Sequence, residues 1–131
     1  MAKIKHLAIK TVDPERMAKF YVDVFEMEIV ARSEKGAVYL TDGYLNLALL
    51  TARADVPPGL NHFGFEVDDI DVITERLEAA GMAAPQVRPN NPPYAEQRAM
   101  DPDGNMFDLS VHGFQSQEFQ ADRKTKQKQP A

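Results

Sequence analysis

Asn61-His62-Phe63-Gly64-Phe65-Glu66-Val67-Asp68-Asp69 decides the reading of this chain, because it repeats Lys5-His6-Leu7-Ala8-Ile9-Lys10-Thr11-Val12-Asp13. In both copies a histidine is followed by an apolar residue, a small residue, a second apolar residue and a polar stretch that runs into an acidic turn. His6 and His62 hold the same place, and each copy leads into an amphipathic segment with helical spacing, residues 13–25 and 70–81. The ends of the two copies also match. Asp42-Gly43-Tyr44-Leu45-Asn46-Leu47 aligns with Asp103-Gly104-Asn105-Met106-Phe107-Asp108-Leu109 once one residue is inserted after the glycine, which makes Asn46 the counterpart of Asp108.

A chain of 131 residues, 44% apolar, suffices for one domain with a real core and is too short for two independent ones. The expected organisation is a single domain over residues 1–112, built of units at about 3–52 and 59–112, followed by a polar tail at 113–131. Most of that tail reads as mobile, with a return of Phe114 and Phe119 onto the body or onto a partner subunit as the competing reading. No apolar run approaches the ~20 residues that cross a bilayer, and Met1-Ala2-Lys3-Ile4-Lys5-His6 lacks a signal-peptide core, so a cytoplasmic protein without membrane partners is expected. Net charge is −5, with a local +2 over residues 112–131 that puts the body at −7, a balance that argues against a nucleic-acid surface. With no cysteine, disulfides and thiolate chemistry drop out, and histidine and carboxylate remain as the metal ligands to consider.

Taken in order, residues 4–11 alternate as a half-buried strand, with Leu7 and Ile9 toward a helix layer and His6 on the other face beside the small Ala8. Asp13 and Pro14 open a helix whose Met17, Phe20, Tyr21, Val24 and Phe25 form one face, expected to pack on the sheet. A hairpin at 28–33 and 37–40 and a strand at 44–50 complete the first unit, and Val56-Pro57-Pro58-Gly59 connects it to the second. The second unit repeats the order, with Phe63, Phe65 and Val67 inward, a helix closed by Gly81, strands at 83–88, 94–100 and 105–112, and a stiff loop at 89–93. Such a chain is α+β: two βαβββ units in tandem forming a curved mixed sheet, helices on its convex side and a cleft on the concave side lined by His6, Asn46, His62 and Asp108. A single histidine is more often satisfied or solvent-facing than a ligand. Two histidines and a carboxylate at equivalent places in a repeat form a 2-His-1-carboxylate set, which leaves coordination positions open and suits a catalytic divalent metal.

These residues resemble the vicinal oxygen chelate superfamily, also called the glyoxalase, bleomycin-resistance and extradiol dioxygenase superfamily. The resemblance covers about residues 3–112 and rests on Asp101-Pro102-Asp103-Gly104-Asn105 with an acidic residue three places on, and on the strand starts at His6 and His62. It implies a glyoxalase-like fold, a divalent metal such as Fe(II), Mn(II), Ni(II) or Zn(II) on His6, His62 and Asp108, a small oxygenated substrate and a homodimer. Asp108 stands where glutamate is usual, and Asn46 stands where glyoxalases place a fourth ligand, so Asn46 offers at most a weak fourth position and no general base. The pattern therefore favours dioxygenase over glyoxalase or lyase chemistry, with a metal-free binding protein of the bleomycin-resistance type as the alternative. Tyr94, Glu96 and Arg98 alternate on a strand that faces the cleft or merely forms a polar edge. In the first case Tyr94 donates to a substrate oxygen or Arg98 binds an anion. His112, about 14 Å of strand beyond Asp108, belongs at the cleft mouth.

Overall fold

The computed structural model describes residues 1–88 and 95–114. Along the chain run β1 (Lys3–Thr11), α1 (Pro14–Phe25), β2 (Glu28–Arg32), β3 (Val38–Thr41), β4 (Asn46–Thr51), β5 (Gly59–Glu66), α2 (Ile70–Ala79), β6 (Gln86–Val87), β7 (Gln97–Met100) and β8 (Met106–Ser110). The order is βαβββ twice. Both helices start as the sequence dictates: Asp13 accepts the backbone N–H of Arg16 at 3.1 Å and Asp69 that of Asp71 at 2.9 Å. They end differently. Gly81 (φ 83°) takes the left-handed turn after α2, whereas α1 closes on Glu26 at φ 59°, a conformation that strains a residue with a Cβ.

The strands form one eight-stranded mixed sheet in the order β2-β3-β4-β1-β5-β8-β7-β6. Within each unit the first strand pairs in parallel with the last, β1 with β4 and β5 with β8, and the two units join where β1 meets β5 antiparallel. The four strands that carry the repeat's counterpart positions are thus the four central ones. Each unit has its own apolar cluster on the helix-covered face, one around Leu40, Leu47 and Leu49, the other around Val67, Phe107 and Leu109. Phe63, Phe65 and Phe107 fill the second with ring centroids 5.5–5.9 Å apart.

The expected packing of α1 needs correction. Ala18, Met17, Tyr21 and Val22 contact the sheet, while Phe20, Val24 and Phe25 stay 49%, 56% and 63% exposed. At 100° per residue the stripe is centred between positions 18 and 21, which puts Phe20 about 130° and Val24 about 90° away from it, while Phe25 falls on the stripe but is the last residue of the helix; Phe20 meets Tyr21 and Phe25 edge-on, and Phe25 stacks on Tyr21. In the second unit the expected strand at 83–88 contracts to Gln86–Val87 and that at 94–100 to Gln97–Met100. The expected last strand at 105–112 contracts to Met106–Ser110, and Val111 past its end is 42% exposed.

The packed body reaches Phe114, two residues beyond the expected boundary at 112, and Phe114 is fully buried. Its ring stacks on His6 with centroids 4.8 Å apart and planes within 11°. Gly64 makes this possible, since a Cβ there would stand 2.5 Å from Phe114 Cζ and 3.0 Å from His6 Cβ. Phe119 lies outside the described residues. Gly64→Ala should therefore cost about 1–3 kcal/mol in urea denaturation through forced overpacking. In the Phe114→Leu background most of that cost should disappear, and additive losses in the double variant would show that the contact does not exist.

Candidate metal centre

Register brings the site together before any side chain is considered. On the face away from the helices, His6 of β1 pairs with Asn46 of β4 on one side and with Gly64 of β5 on the other, and Gly64 pairs with Asp108 of β8. His6 and Asp108 sit on strands two spacings apart, roughly 10 Å, and meet above Gly64 because that position has no side chain. His62 lies one inward-facing position before Gly64, opposite Ala8. His6, Asn46 and Asp108 are 2%, 2% and 1% exposed.

The three expected metal-facing groups converge. His6 Nε2 lies 3.2 Å from His62 Nε2, His62 Nε2 lies 3.2 Å from Asp108 Oδ2, and His6 Nε2 lies 3.9 Å from the same oxygen. The opposite ring nitrogens face amide oxygens: His6 Nδ1 is 2.9 Å from Asn46 Oδ1, and His62 Nδ1 is 2.7 Å from Asn61 Oδ1. An amide oxygen can only accept, so each ring in its neutral form carries its proton on Nδ1 and turns a bare Nε2 lone pair toward the carboxylate. Three acceptors then face one another. That arrangement is repulsive alone and favourable around a cation. A metal about 2.1 Å from each donor needs donor–donor edges of roughly 3.0 Å when octahedral or 3.4 Å when tetrahedral. Two observed edges fall in that range and the third is slightly wide, so the residues fit a divalent ion.

Asp108 is held on its other side by arginines. Arg98 Nε donates to Oδ1 at 2.6 Å, Arg88 Nη1 lies 3.3 Å from both carboxylate oxygens, and Arg98 Nη2 comes within 3.4 Å of His62 Nε2. Burial pushes the Asp108 carboxyl upward, but the hydrogen bond and charge that His62 supplies when its ring is doubly protonated, together with the Arg98 bond and charge, outweigh it and bring the pKa down to about 2. Burial, followed by the neighbouring His62 charge, lowers His6 to about 4 against smaller opposing effects of Asn46 and Asp108.

Each expected site residue can now be located. His6, His62 and Asp108 come together as read. Asn46 does not join them as a weak fourth donor, because its oxygen faces the ring nitrogen of His6 that points away from the triangle. Arg98 faces the cleft, as one of the two sequence readings had it, with Asp108 as its ion-pair partner. Tyr94 lies outside the described residues. His112 pairs with Glu96 at the rim and takes no part in the triangle. Sequence reasoning missed Arg88 and Asn61. Asn61 directly precedes His62, and adjacency was its only signal; Arg88 sat in what read as an ordinary short strand.

A buried neutral His6 has a consequence for stability. Its folded pKa of about 4 lies below the ordinary 6.5, so between those values the unfolded chain binds more protons and stability falls as pH falls. The loss across that window should be on the order of 3 kcal/mol, followed by a further decline below about pH 4 as Asp108 is protonated. Urea denaturation with EDTA from pH 7.5 to 4.5 should show this slope, and His6→Gln should flatten it. Equal slopes would mean that the ring is not held neutral in the folded state.

Comparison with known proteins agrees with this architecture. The model of the Glyoxalase/Bleomycin resistance protein/Dioxygenase superfamily matches residues 3–109. A probable trivalent organoarsenical cleaving enzyme of Bacillus subtilis is 32% identical over 115 residues, 82% of this chain and 78% of its own length. The fold is shared with the 2,3-dioxygenase LapB of Pseudomonas sp. KL28 (TM-score 0.66, 19% identity, 82% of this chain), of which this chain spans 40%. It is shared as well with the methylmalonyl-CoA epimerase of Mycobacterium tuberculosis (TM-score 0.62, 16% identity, 81% of this chain and 85% of that one). The Mn(II)-bound glyoxalase of Novosphingobium aromaticivorans also has it (TM-score 0.62, 22% identity, 82% of this chain and 36% of that one). With the family model spanning both repeats and the three converging donors, the chain belongs to the Glyoxalase/Bleomycin resistance protein/Dioxygenase superfamily.

Proposed function

We propose that this protein is a metal-dependent enzyme in which His6, His62 and Asp108 hold a divalent ion that chelates a small oxygenated substrate, with dioxygenase chemistry favoured. The carrying observation is the triangle of acceptors, two Nε2 atoms and Asp108 Oδ2, with both histidine tautomers fixed from behind by amide oxygens. When bound, the ion supplies Lewis acidity and open positions for substrate oxygens, and Fe(II) in a 2-His-1-carboxylate set adds the means to activate dioxygen.

The rest of the work falls to this chain's own side chains. Asn46 and Asn61 orient the imidazoles and raise their donor strength. Arg98 engages Oδ1 of Asp108 and so leaves Oδ2 to face the histidines. Phe114 covers one face of His6 and keeps water from it. Asn46 itself is an amide and cannot take up a proton as a general base, which supports a reaction that needs no proton shuttle at that position.

Two other readings have an observation behind them. The Bacillus subtilis relative is described as cleaving trivalent organoarsenicals, yet trivalent arsenic is a soft centre that prefers thiolates and this chain contains no cysteine. A metal-free binding protein is favoured by the arginines, which already neutralise Asp108. A homodimer belongs to the proposal too, supported by the exposed Phe20, Val24 and Phe25 edge of α1. Sedimentation should give the dimer mass at micromolar concentration, and a monomer there would remove it.

Mn(II) titration of the apoprotein should reach one equivalent. Asn46→Ala should weaken binding by about 10- to 100-fold, as expected for loss of an outer partner, and Asp108→Asn by more. If wild type and Asp108→Asn bind alike, the site is not a metal site and the binding-protein reading takes over. Fe(II)-loaded protein should consume dioxygen with a catechol. Turnover of a hemithioacetal without dioxygen, or of phenylarsenous acid in preference to catechols, would overturn the dioxygenase assignment.

A further inference from the structure

His112 takes no part in the donor triangle, yet the short segment it belongs to builds one wall of it. β8 ends at Ser110, and residues 111–114 turn back over the donor face instead of running on. Ser110 Oγ accepts the backbone N–H of His112 at 3.0 Å, and Gly113 and Phe114 both take left-handed φ angles, 76° and 61°. For a residue with a Cβ such as Phe114 this conformation is disfavoured, so contacts made elsewhere have to hold it.

Those contacts come from Ala95 and Glu96, just ahead of β7. Ala95 packs with Phe114, both fully buried, while the other side of the wall is the flat contact of Phe114 with His6. Two residues before Phe114, His112 Nδ1 donates to Glu96 Oε1. Glu96 is itself anchored, since its carbonyl accepts the backbone N–H of Arg88 at 2.9 Å. Ala95-Glu96 therefore grips the returning segment twice, by packing at Phe114 and by a hydrogen bond at His112. With the His112 side chain 49% exposed, a pair of this kind adds little to global stability, and its effect lies in what it holds in place.

His6 needs such a wall. Asn46 faces Nδ1 and decides which edge of the ring points to the triangle, but χ2 of a histidine is a soft torsion, and one bond in the ring plane leaves the ring free to tilt. A flat aromatic face stacked on it removes that freedom. We propose that His112 is a positioning residue of the metal centre: by holding to Glu96 it keeps Phe114 on the face of His6, and Phe114 keeps the Nε2 lone pair aimed at the place of the ion. This rests on the metal-centre reading above and extends it to a residue outside the donor set.

His112→Ala and Phe114→Leu should each weaken Mn(II) binding about tenfold, as for the loss of an outer support. The double variant should bind no more weakly than Phe114→Leu alone, because one residue acts through the other. His112→Asn places an amide N–H where Nδ1 stands and should restore most of the affinity. The urea midpoint of His112→Ala should stay close to that of the wild type, so that the lost affinity is not lost folding. NMR of the apoprotein adds a readout that needs no metal. The ring current of Phe114 displaces the Gly64 α-protons, and His112→Ala should return them toward ordinary glycine positions while His112→Asn should not. Unmoved Gly64 signals, an equal further loss of affinity in the Phe114→Leu background, or a large drop in the urea midpoint would overturn the role of His112 and leave the metal centre standing. If the wild type binds no Mn(II), the metal-centre reading itself fails, and the positioning role fails with it.

Discussion

Acceptors facing acceptors is the constraint on which this structure turns. Two imidazole lone pairs and a carboxylate oxygen are held 3.2–3.9 Å apart, mostly out of water, by strands that have no freedom to separate them. Left alone, the arrangement is unfavourable, and the fold has to hold it together. It does so with four central strands in fixed register, a glycine where the middle strand would otherwise intrude, and an aromatic ring stacked on the more buried histidine. Local strain of this kind is carried by the surrounding core and is a usual mark of a functional site. The two apolar clusters on the helix face, one per unit, provide that support.

The parts of this plan that follow from alternation and repetition were legible in the sequence. Strand period two placed His6, His62 and Asp108 on the face away from Leu7, Phe63 and Leu109, and the repeat made their convergence more than coincidence. Parallel pairing of first and last strands within each unit then put them side by side. What alternation cannot supply is the destination of a side chain. Asn46 was on the right face and in the right row, yet its amide goes to the far nitrogen of His6, a choice decided by a rotamer and not by register. Arg88 and Asp108 meet across strands β6 and β8, which are separated by β7, and no short-range pattern marks such a contact. Phe114 follows the last strand in a stretch whose composition reads as polar tail, and only the vacant space above Gly64 explains why it turns back. Phe20 and Val24 turn outward because helical spacing tells which side chains are neighbours but not where the centre of the stripe falls, and Phe25 is exposed because α1 ends there.

The repeat is symmetric in its backbone and asymmetric in its charge. Asn46 and Asp108 occupy corresponding strands, and each lies next to the first strand of its own unit. Had both been acids, His6 would hold a carboxylate behind it, its proton affinity would rise, and the pocket would carry one more negative charge. The amide instead fixes the tautomer without adding charge, so His6 stays neutral well below the ordinary histidine range. The one carboxylate in the triangle is meanwhile drawn toward two guanidinium groups. A duplicated unit has thus become a single centre, with one half supplying a neutral donor and its support and the other half supplying the anionic donor.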